Sequence, residues 1–163
     1  MRKISGILAA LGVLVVLVQA PPATADRGTH RDADDTPGRL DIRSVTHGHD
    51  GKRQVHVIRT YGKWDKRDLS GKNRILLVTK IKGEVLTGVI RWKNGGFFCS
   101  IPNDARPCNQ MPHLTVIHPN AKTLVIKNLP GPDQKVYRYR VGTRFDGNVD
   151  WAPRKGRWVL HRN

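Results

Sequence analysis

From residue 39 onward the chain alternates apolar and polar positions in short runs. Leu40, Asp41, Ile42 and Arg43 alternate, and so do Val55, His56, Val57 and Arg59 after the turn signal Asp50-Gly51. Arg74 to Thr79 holds a continuous apolar run suited to a strand covered on both faces. Val85 to Trp92 is closed by Asn94-Gly95, the dipeptide of a type I′ hairpin, and Phe97 to Cys99 continues the return strand. Leu114 to Ile117 and Thr123 to Ile126 are joined tightly through Pro119, Asn120 and Ala121. Val136 to Val141 alternates again, and Trp158 to Leu160 makes a final strand. About eight or nine strands at intervals of roughly 8–15 residues predict an all-β chain, an antiparallel, jelly-roll-like β-sandwich in a single domain. No window has a helical period. Arg67 to Asn73 and Asp146 to Gly156 read as loops.

The first residues follow a different rule. Arg2 and Lys3 precede an apolar stretch from Ile4 to about Val18, and Ala23 and Ala25 then give a small-x-small pattern. This is the layout of a signal peptide, with cleavage expected after Ala25. The competing reading, a retained anchor, calls for a span of ~20 apolar residues, which this run does not reach. The expected organisation is therefore a signal peptide over 1–25, a polar lead-in over 26–38 and the sandwich over 39–163. The product would be secreted, with no membrane span after cleavage.

Charge narrows the partners. The sequence carries 29 Lys and Arg against 13 Asp and Glu, a formal charge of +16 that falls to +14 once Arg2 and Lys3 are removed. Such an excess draws in polyanions: nucleic acid, anionic lipid heads or acidic cell-wall polymers. Cys99 and Cys108 are the only cysteines. In an oxidising compartment they are expected to pair across a turn containing Pro102, Asn103, Asp104 and Pro107. They lack the C-x-x-C spacing of zinc and redox sites.

The chemistry-bearing residues are scattered. Glu84 is the sole glutamate and falls at a hairpin tip, so no carboxylate pair for glycoside hydrolysis is marked by spacing. No nucleophile elbow and no Gly-rich phosphate loop occurs. A nuclease-like set could be assembled from Glu84, Arg91 and His113 or His118, on residue types alone. His47 and His49, an H-x-H pair that a strand would place on one face, are the candidate metal ligands, with His56 facing them across the Asp50-Gly51 hairpin. Asp32, Asp34 and Asp35 would offer oxygen ligands to calcium if the lead-in folds back on the sandwich. Tyr137 and Tyr139 share one face of their strand, and Arg138 and Arg140 the other. Inward tyrosines would leave the arginines as a basic outer stripe, and the reverse would expose a stacking platform. Trp64 and Trp151, at the edges of polar loops, are candidate stacking surfaces.

Three stretches carry a resemblance: Asp35 to Val45, Ile58 to Trp64, and Asp150 to Pro153. Together they resemble secreted actinobacterial proteins of unknown function, which are similar to DOMON-like and family-nine carbohydrate-binding β-sandwich modules. The resemblance implies a jelly-roll-like sandwich that binds a glycan or small ligand. The haem-ligating Met/His pair of the DOMON type has no counterpart here. The expectation is then a secreted, non-enzymatic binding module for a glycan or anionic cell-wall polymer. Trp64 and Trp151 would give stacking, and Arg138 and Arg140 attraction. The alternatives are a protein-interaction or inhibitory module, and a small secreted nuclease-like hydrolase.

Overall fold

The computed structural model describes residues 28–128, 136–154 and 156–162, so the segment read as a signal peptide lies outside the described residues. The strands are β1 (Gly28–Arg31), β2 (Ile42–Asp50), β3 (Arg53–Thr60), β4 (Arg74–Ile81), β5 (Glu84–Lys93), β6 (Gly96–Ile101), β7 (Asp104–Pro107), β8 (Leu114–Asn120), β9 (Thr123–Asn128), β10 (Val136–Phe145), β11 (Asn148–Ala152) and β12 (Val159–Arg162). Two short 3-10 turns, Lys66–Leu69 and Cys108–Gln110, interrupt them. Among the described residues there is no α-helix, and none long and apolar enough to cross a membrane.

All pairing is antiparallel. The first sheet has the order β1-β2-β3-β9-β8. The second has the order β11-β10-β4-β5-β6-β7, with β12 also paired to β10. The two sheets enclose one core of Leu40, Ile42, Val45, Ile58, Ile75, Ile90, Leu124, Ile126, Tyr137, Tyr139 and Val141, as the period-two pattern requires. The chain is thus an all-β sandwich in a single domain. Asn94 and Gly95 both take positive φ between β5 and β6, the geometry of the expected type I′ turn.

The Cys99–Cys108 disulfide forms, but the residues between the cysteines are more ordered than a turn. β6 and β7 make a hairpin around Asn103, which adopts φ 66°. Two further segments differ from their sequence reading. The polar lead-in contributes β1, which pairs with β2 from Gly28↔His47 to Arg31↔Ser44. Within the expected loop from Asp146 to Gly156, Asn148 to Ala152 is strand β11, in register with β10. Its pattern is inverted relative to an ordinary strand: Asp150 points inward and is buried while Val149 is exposed. Asp150 can sit there because it accepts two backbone amides, from Ile42 at 2.6 Å and from Trp151 at 2.6 Å.

Candidate functional site

The register of the second sheet assigns its outer face. Arg138 lies beside Lys80, Arg140 beside Val78, and Arg144 beside Arg74. Gly142 lies beside Leu76 on β4 and Trp151 on β11, and Arg91 lies beside Phe98 on β6. The inward partners Tyr137, Tyr139, Val141 and Thr143 are all buried. The tyrosines therefore face the core and the arginines form the outer stripe. Arg74, Arg91 and Arg144 crowd one another closely enough that partial burial and the two neighbouring charges lower the Arg74 pKa from its ordinary value. The Nε atoms of Arg74, Arg140 and Arg144 are shielded from solvent yet have no hydrogen-bond partner among the described residues. No described ion pair involves these arginines.

Aromatic rings are interleaved with this charge. The Arg140 guanidinium lies 4.4 Å from the ring of Trp151 and 4.7 Å from that of Trp158, and Lys93 lies over Phe98 at 5.3 Å. Trp151 lies flat on Gly142, where a Cβ would come within 2.7 Å of the indole, so the glycine creates the seat for the ring. The structure thus brings together three of the four residues expected to bind ligand: Trp151, Arg138 and Arg140. Trp64 is not among them. It is only 3% exposed, packs in the core with its ring 4.0 Å from that of His118, and donates its backbone N–H to Ala121 at 2.8 Å. Its expected stacking role is corrected to a core plug. The contributions of Trp158, Arg74, Arg91 and Arg144 to the face were missed. Their proximity follows from the order β10-β4-β5, which local alternation does not encode.

His47 and His49 lie on the inner side of β2, with His56 directly across from His47 and His161 supplied by β12. The result is an interior cluster. The Tyr139 hydroxyl lies 2.6 Å from His47 Nδ1, and the Nε2 atoms of His49 and His161 are 3.2 Å apart. His56 is wholly buried, and burial followed by the fields of His161, His47 and His49 lowers its pKa to about 3. Burial alone raises the Tyr137 phenol. These histidines are part of the core. Among the described residues, the His/Cys/Asp/Glu group that brings three ligand atoms within 4.8 Å of one another is Asp35, Asp41 and Asp150, with no histidine in it. Glu84, Arg91 and His118 do not converge either. Glu84 and Arg91 sit at opposite ends of β5, and His118 stacks on Trp64 in the first sheet.

Two cavities are lined by described residues. An apolar cleft of about 370 Å³ between the sheets is bordered by Leu77, Ile90, Met111, Leu114 and Ile126, with Gln54 and Asn128 hydrogen-bonded at 3.0 Å on its wall. The other, about 410 Å³, is lined by Asp32, Asp35, Thr36, Val149, Asp150, Trp151 and Arg154. No family model, curated protein or solved structure matches the chain.

Proposed function

We propose that this protein is a secreted, non-enzymatic module that holds an anionic polymer, a glycan or cell-wall polyanion, against the outer face of β10, β4 and β5. The supporting observation is the crowding of Arg74, Arg91 and Arg144 beside an Arg140 stacked between two tryptophans, with three guanidinium Nε atoms left without acceptors among the described residues. Like charges held together in a partly buried array are unfavourable by themselves, and anionic groups of a ligand relieve that cost. Guanidinium favours this role over ammonium because its planar fork takes two oxygens of a phosphate, sulfate or carboxylate at once. Sugar rings or other planar groups of the polymer would pack on Trp151 and Trp158. Export fits with the Cys99–Cys108 disulfide and the signal-like first residues.

The test is binding of the full chain to a teichoic acid, a sulfated glycan and double-stranded DNA across a salt series. The expected result is affinity that falls steeply with salt. Arg74→Ser/Arg144→Ser should weaken binding at least tenfold at low salt and make the log–log salt slope shallower by about 2. The control Lys52→Ser/Lys122→Ser removes the same charge from exposed turns of the first sheet. Equal loss in both double variants, or no binding to any of the three polymers, would overturn the assignment.

A further inference from the structure

A second charged site lies on the opposite side of β11, and its argument is independent of the basic face. Asp35, Asp41 and Asp150 each bring a carboxylate oxygen within 4.8 Å of the others. They come from three places: the loop after β1, the residue entering β2 in the first sheet, and the middle of β11 in the second. Asp41 is the informative member. It is 3% exposed, and neither carboxylate oxygen accepts from an N–H or hydroxyl donor among the described residues; the groups within hydrogen-bonding reach of it are the carboxyls of Asp34 and Asp150. Its backbone is pinned, since its carbonyl accepts from Tyr61 N–H at 3.0 Å and the next amide, of Ile42, donates to Asp150 Oδ2 at 2.6 Å. The side chain is therefore held against Asp34 and Asp150, groups of its own sign.

A buried carboxylate without donors, facing other carboxylates, is stable only with a cation or a proton. Among the described residues Asp35, Asp41 and Asp150 form no ion pair, although the sequence carries a charge of +16. Arg154 borders the cavity, and its charge acts on Asp32. Asp150 has one backbone donor on each oxygen, which orients both for further coordination. All the donors are hard oxygens, and they sit on one loop, the entry to a strand of the first sheet and a strand of the second. That set suits an ion taking 6–8 oxygens in flexible geometry better than the strict octahedron of magnesium.

We propose that Asp35, Asp41 and Asp150 bind a calcium ion that fastens the entry to β2 against β11, and so ties the first sheet to the second. Asp32 lines a cavity with Asp35 and Asp150, and its Oδ2 has no hydrogen-bond partner among the described residues, which makes it the next oxygen donor, directly or through water. The exposed Asp35 leaves the outer side of the ion open to water.

The experiment uses the full chain after chelator treatment, with terbium as a luminescent probe, because Trp151 borders the cavity and can sensitise its emission. The expected result is sensitised emission that calcium displaces and equal magnesium does not. Calcium at tenfold above its Kd should also raise Tm by about 5 °C. Asp41→Asn should lose both responses. Because this change removes one of the mutually repelling carboxylates, the chelated variant should melt no lower than the chelated parent, which separates loss of the ion from loss of the fold. Asp146→Asn, at the β10–β11 turn, should keep both responses. The proposal fails if calcium neither displaces terbium nor shifts Tm, the outcome expected if the carboxyls share a proton. It fails equally if Asp41→Asn retains the calcium response.

Discussion

Replacing His56 by leucine tests whether the histidine core is as dry as its packing implies. His56 lies on β3 opposite His47, is 1% exposed, and has no hydrogen-bond partner for either ring nitrogen among the described residues. His47 and His49 from β2, Tyr139 from β10 and His161 from β12 surround it, with the Tyr139 ring edge-on at 4.8 Å. In the unfolded chain the ring takes up a proton near pH 6.5, whereas in the folded protein it does so only near 3. Between those values the unfolded state holds the extra proton, so acidification destabilises the fold. At pH 4.5 about two units of that window have been crossed, a cost on the order of 3 kcal/mol for this one ring.

The aspartate cluster opposes it. Burial first, and then neighbouring carboxyls, raise Asp41 to about 7 and Asp32 to about 6. Those folded-state carboxyls hold the extra proton from their ordinary 3.8 up to the raised values. Acidification through that window stabilises the fold, and the penalty is fully present above pH 7. The two effects run against each other, so the parent's own pH profile is a poor test. The difference between His56→Leu and parent isolates the ring, because the aspartates are common to both. Urea unfolding in chelator at pH 7 and pH 4.5 should show that difference moving by roughly 3 kcal/mol in favour of the variant at the lower pH. A difference that stays constant within about 0.5 kcal/mol would mean that the folded ring already carries its proton, and the dry-core reasoning would be wrong.

Three further outcomes follow from the packing. Removing the disulfide as Cys99→Ala/Cys108→Ala opens a loop with a sequence separation of 9, and should cost about 2.7 kcal/mol in the chain-entropy account, read as a lower urea midpoint. Gly142→Ala places a methyl against the Trp151 ring, and should cost about 1–3 kcal/mol and shift the tryptophan fluorescence as the ring leaves its seat. Trp64→Ala should cost about 3–5 kcal/mol with no selective effect on polymer binding, while Trp151→Ala should weaken binding with little loss of Tm; the opposite pattern would reinstate Trp64 as a ligand surface.

Much of the fold could be read from the sequence because most strands bury one face, and period two exposes that directly. β3 and β10 show it, β4 is legible instead as a continuous apolar run, and the Asn94-Gly95 turn sets the register of β5 against β6. The strands that escaped do so for physical reasons. β1 is Gly-Thr-His-Arg, a polar edge strand held by backbone pairing to β2. β11 buries its aspartate and exposes its valine, so alternation reads it backwards, and the bond from Ile42 that justifies the inversion spans 108 residues. The sites were legible only in part. The Arg138 and Arg140 stripe follows from local alternation, whereas Arg74 and Arg91 join it through strand order. The acidic lead-in was visible as a ligand source, but its partners Asp41 and Asp150 read as ordinary polar positions on a strand and in a loop.

The two proposed sites are linked by that same alternation. Asp150 and Trp151 are consecutive and both border the cavity, but the Asp150 carboxylate is buried inward while the Trp151 ring lies beside the Arg140 guanidinium, and the Trp151 N–H donates to Asp150 Oδ1 at 2.6 Å. Fixing the Asp150 carboxylate with a divalent ion fixes the peptide carrying Trp151, and Trp151 in turn holds one side of the Arg140 guanidinium. Neutralising the acidic cluster also removes negative charge from behind the basic face, which strengthens its pull on a polyanion. Both effects have the same sign, so calcium and polymer should bind with positive coupling. Because that coupling is reciprocal, whatever factor calcium adds to polymer affinity, the polymer must return to calcium.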